Sequence, residues 1–469
     1  MDQTSSALPE KSQRYAILVA VGIATFMGAL DASVVNVVLP VIRADFATGI
    51  DMVQWAVVVY LLVISGFLLT FGRLGDLRGH KDVYLVGFGI FGAASILCGL
   101  SDSALTLTIW RGVQAVGGAM LVANSPAILT KNFPAAQRGR ALGLQATMTY
   151  LGLVTGPSLG GWLTDMFSWR AVFFINVPVV VVAFLLALRF VPRDRGKAES
   201  AEPFDLPGAL LYSTGLVLLL LALNQAHNWG WLSALTLGLL IAAALLLVGF
   251  VLVENRSAHP MLDLTLFRRL NFSAASTSAV LNYIGIYSII FVMPFYLIQG
   301  RSLSPSVTGI LLTSQPLIMM VAAPLSGWLS DRIGTRLPAI LGMLIMSAGM
   351  FMLSRLGPET PQPYIAVSLA VAGLGTGIFI SPNSSALMGA APRARQGIAA
   401  GVMGLSRSLG MVLGVGIAGA ILTTVSGAAA EVDAGLFSAT QIIFLTAMGA
   451  ALLSAVSAYL RKDETHATQ

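Results

Sequence analysis

Between Ala16 and Leu460 the chain repeats one pattern, an almost wholly apolar window followed by a short polar join. Each window is about 20 residues, the length an α-helix needs to cross the hydrocarbon of a bilayer. The windows fall near 16–38, 54–72, 83–101, 104–129, 141–163, 170–190, 207–225, 231–253, 272–298, 308–329, 338–354, 364–388, 398–424 and 439–460, about 14 in all. In lipid the backbone must satisfy its own hydrogen bonds, so the expected fold class is an all-α polytopic membrane protein. Composition closes the soluble alternative. Of 469 residues 56% are hydrophobic and only 10% charged, against about a quarter in ordinary globular domains. The polar start, MDQTSSALPEKSQRY, leads into an apolar run too long for a signal-peptide core, and reads as the lead-in to a span that stays.

An even number of spans places both termini on one side. Of the 27 Lys and Arg residues, 21 lie in the tails or in the loops on that side, and four (Arg43, Arg170, Arg301, Arg355) lie opposite. By the positive-inside rule both termini are expected in the cytoplasm, and for a bacterial chain the location is the cytoplasmic (inner) membrane. The net charge of +6 is then an orientation signal, and no nucleic-acid partner is expected. The single cysteine, Cys98, excludes a disulfide framework and a cysteine-based metal site. His80, His227, His259 and His466 are scattered through loops and the tail, so no metal centre, resident cofactor or His-based catalytic pair is expected.

Three charges remain inside windows: Asp31, Arg111 and Arg407. An ionised Asp at the centre of a spanning helix costs roughly 2.5 to 3.5 kcal/mol, so Asp31 needs a partner. It sits about nine residues, or roughly 13 Å, below Pro40, and Arg111 lies at nearly the same depth in the fourth window. Gln114, nearly one turn from Arg111, can share their hydrogen bonds. Burial favours the neutral acid and a nearby guanidinium favours the carboxylate, so a change in separation or hydration between two conformations moves a proton. The other reading is a static staple between the first and fourth spans, a poor source of stability beside apolar packing. Arg407 reads as a snorkelling residue or an anchor for a turn at the cytoplasmic face.

The chain also repeats on a larger scale. GRLGDLRGHK (72–81) and GWLSDRIGTR (327–336) share the pattern G-x-L-x-D-x-x-G-x-[KR], with Asp76 and Asp331 255 residues apart. That offset carries the first window onto the ninth, so two six-helix halves are expected, with two extra helices between them. The corresponding domains are 1–192, a linker with the extra pair at 193–258, and 259–469. Parallel repeats of this kind occur in transporters, with the site between the halves near the midplane. The extra pair, rich in Leu and Ala, reads as a peripheral insert.

Gly152, Gly156 and Gly160 recur every four residues in GLVTGPSLGG (152–161), a stripe free of side chains on which another helix can approach closely. Pro157 favours a bend, and Gly161 extends the small surface. The expected partner lies in the other half, at AAPLSGW (322–328), although generic small-residue packing gives the same pattern. In the repeated turn, Gly72, Asp76, Arg78 and Gly79, with Asp331 and Arg332 in the second copy, form an expected conformational latch. Each carboxylate would meet the positive end of a helix starting on the same face, near Ala399 for Asp76 and near Arg140 for Asp331. The alternative is a solvated turn carrying orientation charges. In the ninth window Tyr283, Tyr287, Phe291 and Phe295 stand four apart beside Asn282. With Asn36, Met319 and Met320 they are expected to line a cavity for flat apolar ligands, although such stripes also occur as plain packing.

These residues carry a family likeness. GRLGDLRGHK resembles the signature loop of the major facilitator superfamily, and GLVTGPSLGG resembles the fifth-span motif of its antiporters. LDASVVNVVLP (30–40) and SWRAVFFINVP (168–178) resemble signatures of its 14-span drug:proton antiporters, and RGVQAVGGAM (111–120) resembles the arginine motif of the fourth span with Ala115 in place of Gly. The resemblance implies a multidrug-efflux transporter acting as a monomer. It would exchange small drug-like compounds for protons, with Asp31, Arg111 and Gln114 in the coupling site and the gradient as its only drive. A dedicated exporter or importer of one metabolite is the alternative. No G-x-x-x-x-G-K-[ST] motif supports ATP binding, and no catalytic constellation supports an enzyme. Spans nine to fourteen carry no carboxylate, which argues against multivalent cations as cargo.

Overall fold

Fourteen long helices account for nearly all of the chain in a computed structural model, which describes residues 10–193, 206–230, 232–256, 264–391, 396–428 and 432–461. They are α1 (Lys11–Asp45), α2 (Trp55–Arg78), α3 (His80–Gly99), α4 (Ala104–Asn132), α5 (Ala135–Met166), α6 (Asn176–Phe190), α7 (Leu206–Trp229) and α8 (Ala234–Arg256). The series continues with α9 (Leu270–Pro294), α10 (Pro305–Ile333), α11 (Arg336–Leu353), α12 (Gln362–Gly389), α13 (Gln396–Ala428) and α14 (Val432–Tyr459). Twelve are long and apolar enough to cross a membrane. The other two are the Gly- and Thr-rich α5, and α7, in which a shorter apolar stretch, Pro207–Leu219, meets the composition. The expected all-α architecture is the one observed.

Local chemistry sets the helix ends. Ser103 and Thr106 form a reciprocal capping box at the start of α4, and Ser304 accepts the Val307 amide ahead of Pro305 in α10. Gly79 (φ 99°) and Gly334 (φ 85°) close α2 and α10 in backbone conformations that L side chains rarely adopt. Asp76 and Asp331 therefore belong to the last helical turns before these breaks, rather than to the turns themselves. After Pro294, α9 widens into a π-helical segment, Phe295–Gly300.

Packing follows the repeat. In the first half α1 lies on α5 and α6, α4 on α2 and α3, and α3 on α6. In the second half α9 lies on α13 and α14, α12 on α10 and α11, and α11 on α14. The close approaches match as well: Gly117 sits on the backbone of Gly87 and Phe91, and Gly375 on that of Gly342 and Met346. A methyl at Gly117, Gly342 or Gly375 would clash with backbone, so no larger residue fits there.

The two largest seams between the halves are α5 on α10 and α2 on α13, and α1 also touches α9. The extra pair is only half peripheral. The exposed, leucine-rich α8 packs on α7, but α7 lies against both α2 and α13 across their seam. Ser213 of α7 donates to the Gly66 carbonyl of α2 at 2.5 Å. Its small polar side chain allows that approach, a signal that leucine content concealed.

Candidate functional site

Asp31 lies midway along α1 with no solvent exposure and accepts hydrogen bonds from three side chains. Arg111 Nη1 donates to Oδ2 at 2.7 Å, while Gln114 Nε2 (3.1 Å) and Asn176 Nδ2 (2.8 Å) donate to Oδ1. Arg111 also donates to Gln114 Oε1 at 2.6 Å and, through Nε, to the Ala56 carbonyl at 2.9 Å. Its guanidinium carbon stands 4.0 Å above the Tyr60 ring, and Gln114 donates to Ser95 at 2.8 Å. The cluster ties α1, α2, α3, α4 and the start of α6 together. A buried ion pair is tolerable where the remaining donors and lone pairs are satisfied, as they are around Asp31. One atom is left over: Asn176 Oδ1 is enclosed without a partner.

Depth matching on the sequence brings together the residues found here, Asp31, Arg111 and Gln114. It misses Asn176, Ser95 and Tyr60. Asn176 stands within SWRAVFFINVP, whose family resemblance was the signal that could have found it; in the structure this uncharged amide follows the short helix Ala171–Phe174. Cys98 is buried, with its sulfur 3.9 Å from Gln114 Oε1. His80, expected in a loop, opens α3 and is buried, its Nδ1 2.7 Å from Asn124 Oδ1.

The glycine stripe faces elsewhere than expected. Gly152, Gly156 and Gly160 press on Phe26, Ala29, Ser33 and Val34 of α1, within their own half. Contact with the other half is made by Gly161, against the Pro305 backbone, and by the Pro157 carbonyl, against Gly309. The stretch 322–328 cannot be the partner because α5 and α10 run antiparallel, which sets it at the opposite end of the seam. Ser158 and Thr313 share a hydrogen bond of 2.7 Å, and Asp165 accepts the Ser306 amide at 3.0 Å.

Of the expected cavity residues, Phe291 is enclosed in the second-half core against Phe295, and Met319 is buried where α10 crosses α12 at Gly377. Phe291 has no solvent exposure and so lines no open space. Asn36 is buried, donating to the Ala32 carbonyl at 2.6 Å with Oδ1 unpaired, and neither amide atom of Asn282 has a partner. Tyr283 and Tyr287 pack over Gly410 and Gly414 of α13. Their hydroxyls, like that of Tyr150 on α5, have no hydrogen-bond partner among the described residues, yet are not enclosed as Asn282 is.

Of the expected latch, Gly72 lies against Ala123, Arg78 is exposed, and exposed Arg332 stacks on Trp328 at 4.0 Å. The side chains of Asp76, Asp331 and Arg140 lie outside the described residues.

The halves are joined on the face away from the termini. The α5–α10 bonds lie there, as does Arg43 Nη1 donating to Gln299 at 2.6 Å, and Gly419 covers Gln54. Toward the terminal face Gly143 of α5 meets nothing within 4 Å, and Gly327 of α10 meets only Ser381 of its own half. Around these two glycines α5 and α10 do not touch, whereas the α2–α13 seam continues toward that face as far as Leu68 on Gly404.

Comparison with known proteins places this geometry. The family model described as Major Facilitator Superfamily matches residues 21–267 and 275–469. The riboflavin transporter RibZ of Clostridioides difficile is 34% identical over 402 residues, covering 86% of this chain and 87% of that protein. The multidrug resistance protein Stp of Mycobacterium tuberculosis (strain H37Rv) is 34% identical over 406 residues, covering 86% of this chain and 75% of that protein. Among solved structures, a bacterial homologue of the human lysosomal transporter Spinster shares the fold, with a TM-score of 0.68 at 18% identity over 96% of this chain and 97% of that one.

Proposed function

The chain belongs to the Major Facilitator Superfamily, and from that premise we propose that it is a proton-coupled antiporter exporting small lipophilic compounds by alternating access. The observation that carries the proton half is the enclosed carboxylate. Asp31 is surrounded by three donors and offered no acceptor, an arrangement suited to the ionised form. Adding a proton requires one donor to withdraw and an acceptor to appear. Asn176 can supply it, because turning its amide presents the unpaired Oδ1 to a protonated Asp31.

The cycle follows from these parts. In this cycle a conformation open toward the termini, with Asp31 ionised, takes up cargo between the halves. Closing that side and parting α5 from α10 opens the other; cargo leaves, a proton reaches Asp31, and its neutralisation weakens the hold on Arg111. Return and proton release complete one exchange. With both termini in the cytoplasm of a bacterial cell, as the 21-to-4 charge distribution supports, this direction is export across the cytoplasmic membrane. The gradient is the only drive required, and a single chain supplies both halves, so the protein acts as a monomer. The relative that transports riboflavin supports a second reading, a transporter dedicated to one compound.

Proteoliposomes loaded with a pH-sensitive dye test the proposal. Addition of a transported compound should evoke proton movement through the wild type and none through Asp31→Asn. Proton movement surviving in Asp31→Asn would overturn the role given to this residue.

A further inference from the structure

Arg407 lies on α13 one turn from Gly410, on the side of the helix that Gly410 and Gly414 press against Tyr283 and Tyr287 of α9. It forms no ion pair among the described residues. Its Nε is enclosed without a partner, whereas its Nη ends are not enclosed and have no partner either. Side chains from both halves stand within electrostatic reach of it, the hydroxyl of Tyr150 on α5 and those of Tyr283 and Tyr287 on α9. The Asp76 side chain lies outside the described residues, but depth separates it from this arginine. Leu68 of α2 meets Gly404, and Asp76 is about eight residues, or roughly 12 Å, further toward the terminal face, whereas Arg407 is deeper.

An unpaired guanidinium inside a membrane protein is costly unless something periodically satisfies it. The three phenols beside it donate hydrogen bonds and offer ring faces, and no carboxylate of the second-half spans competes for them. We propose that Arg407, with the Tyr150, Tyr283 and Tyr287 hydroxyls, forms an anion subsite that receives the acidic group of an aromatic amphipathic cargo.

The fork of the guanidinium takes a carboxylate or phenolate oxygen, the hydroxyls complete its shell, and the flat remainder lies along the tyrosine rings. The preferred cargo is therefore a lipophilic monoanion or zwitterion rather than a cation. This assignment rests on the reading of the chain as a transporter with its site between the halves. It also separates labour: Asp31 in the first half exchanges the proton, and Arg407 in the second holds the cargo.

Binding of two probes differing only in charge tests it. Pyrenebutyrate and its neutral amide, pyrenebutanamide, are titrated by fluorescence anisotropy into protein in phosphatidylcholine nanodiscs, which offer no anionic headgroup. Wild type should bind the acid more tightly than the amide. Arg407→Gln should weaken the acid about ten-fold or more, the size of one hydrogen bond to a charged group, and leave the amide within about two-fold. Tyr287→Phe, which keeps the ring, should weaken the acid alone by a smaller factor, and unchanged amide binding reports an intact fold in each variant. Equal affinity of wild type for both probes, no binding of the acid, or equal losses for both probes in the variants would each overturn the assignment. No gradient is involved, so a failure of export and a failure of this subsite give different results.

Discussion

The two halves are built on one scaffold and filled in opposite ways. Gly152 over Ala29 corresponds to Gly410 over Tyr283, and Gly156 over Ser33 to Gly414 over Tyr287, which sets Asp31 opposite Gly285. Likewise Gly117 on Gly87 corresponds to Gly375 on Gly342, which sets Arg111 opposite Leu369 and Gln114 opposite Ala372. Where the first half holds a carboxylate, a guanidinium and an amide, the second holds a glycine, a leucine and an alanine, and the Met346 methyl fills the space 2.5 Å from where a Cβ on Gly285 would stand. The helix framework therefore needs no charge at this depth. The charges are present for what they can exchange, and the second half is free to hold a cation elsewhere.

Breaking the pair should have the largest effect. Arg111→Leu leaves Asp31 buried and unpaired and should destabilise the protein by about 3–5 kcal/mol, whereas Asp31→Leu combined with Arg111→Leu should recover most of that loss. Thermal unfolding in detergent measures both. A double variant as unstable as the single one would mean that the first half depends on its ion pair for folding.

Placing the charge in the other half comes next. Gly285→Asp must displace the Met346 methyl and bury an unpaired carboxylate, a loss of about 3 kcal/mol by the same measurement. If Gly285→Asp unfolds at the wild-type temperature, the second half can house a carboxylate after all, and the comparison weakens.

The smallest effect sharpens the scaffold side. Gly156→Ala sets a methyl 1.8 Å from Ser33 Oγ and should cost about 1–3 kcal/mol, while Gly143→Ala, in open space, should change stability by no more than about 0.5 kcal/mol. Equal effects would show that the stripe is not a helix contact.

The sequence made visible what depends on length, charge and depth. Hydropathy found the fourteen helices because each must span one thickness of lipid, and counting residues from the helix ends brought Asp31 to Arg111. Direction around a helix was harder to read. A glycine stripe says that something comes close, not what, and here it is α1 rather than α10. The stripe from Tyr283 to Phe295 fails for a related reason: steps of four residues drift by about 40° each, so its ends face directions about 120° apart. Tyr283 and Tyr287 lie against Gly410 and Gly414 of α13, while Phe291 and Phe295 turn into the core. Asn176 carried no charge to betray it, and α7 hid its contacts behind a leucine-rich composition.

The position of α7 has a consequence for the surrounding bilayer. One seam between the halves, α2 with α13, is roofed along its flank by a helix bonded to α2 through Ser213 and packed on α13. The other seam, α5 with α10, has no such cover among the described helices. A molecule built on a two-fold repeat is thereby given a sheltered side and a bare one. Any compound dissolved in the membrane therefore meets two different walls depending on the side from which it arrives.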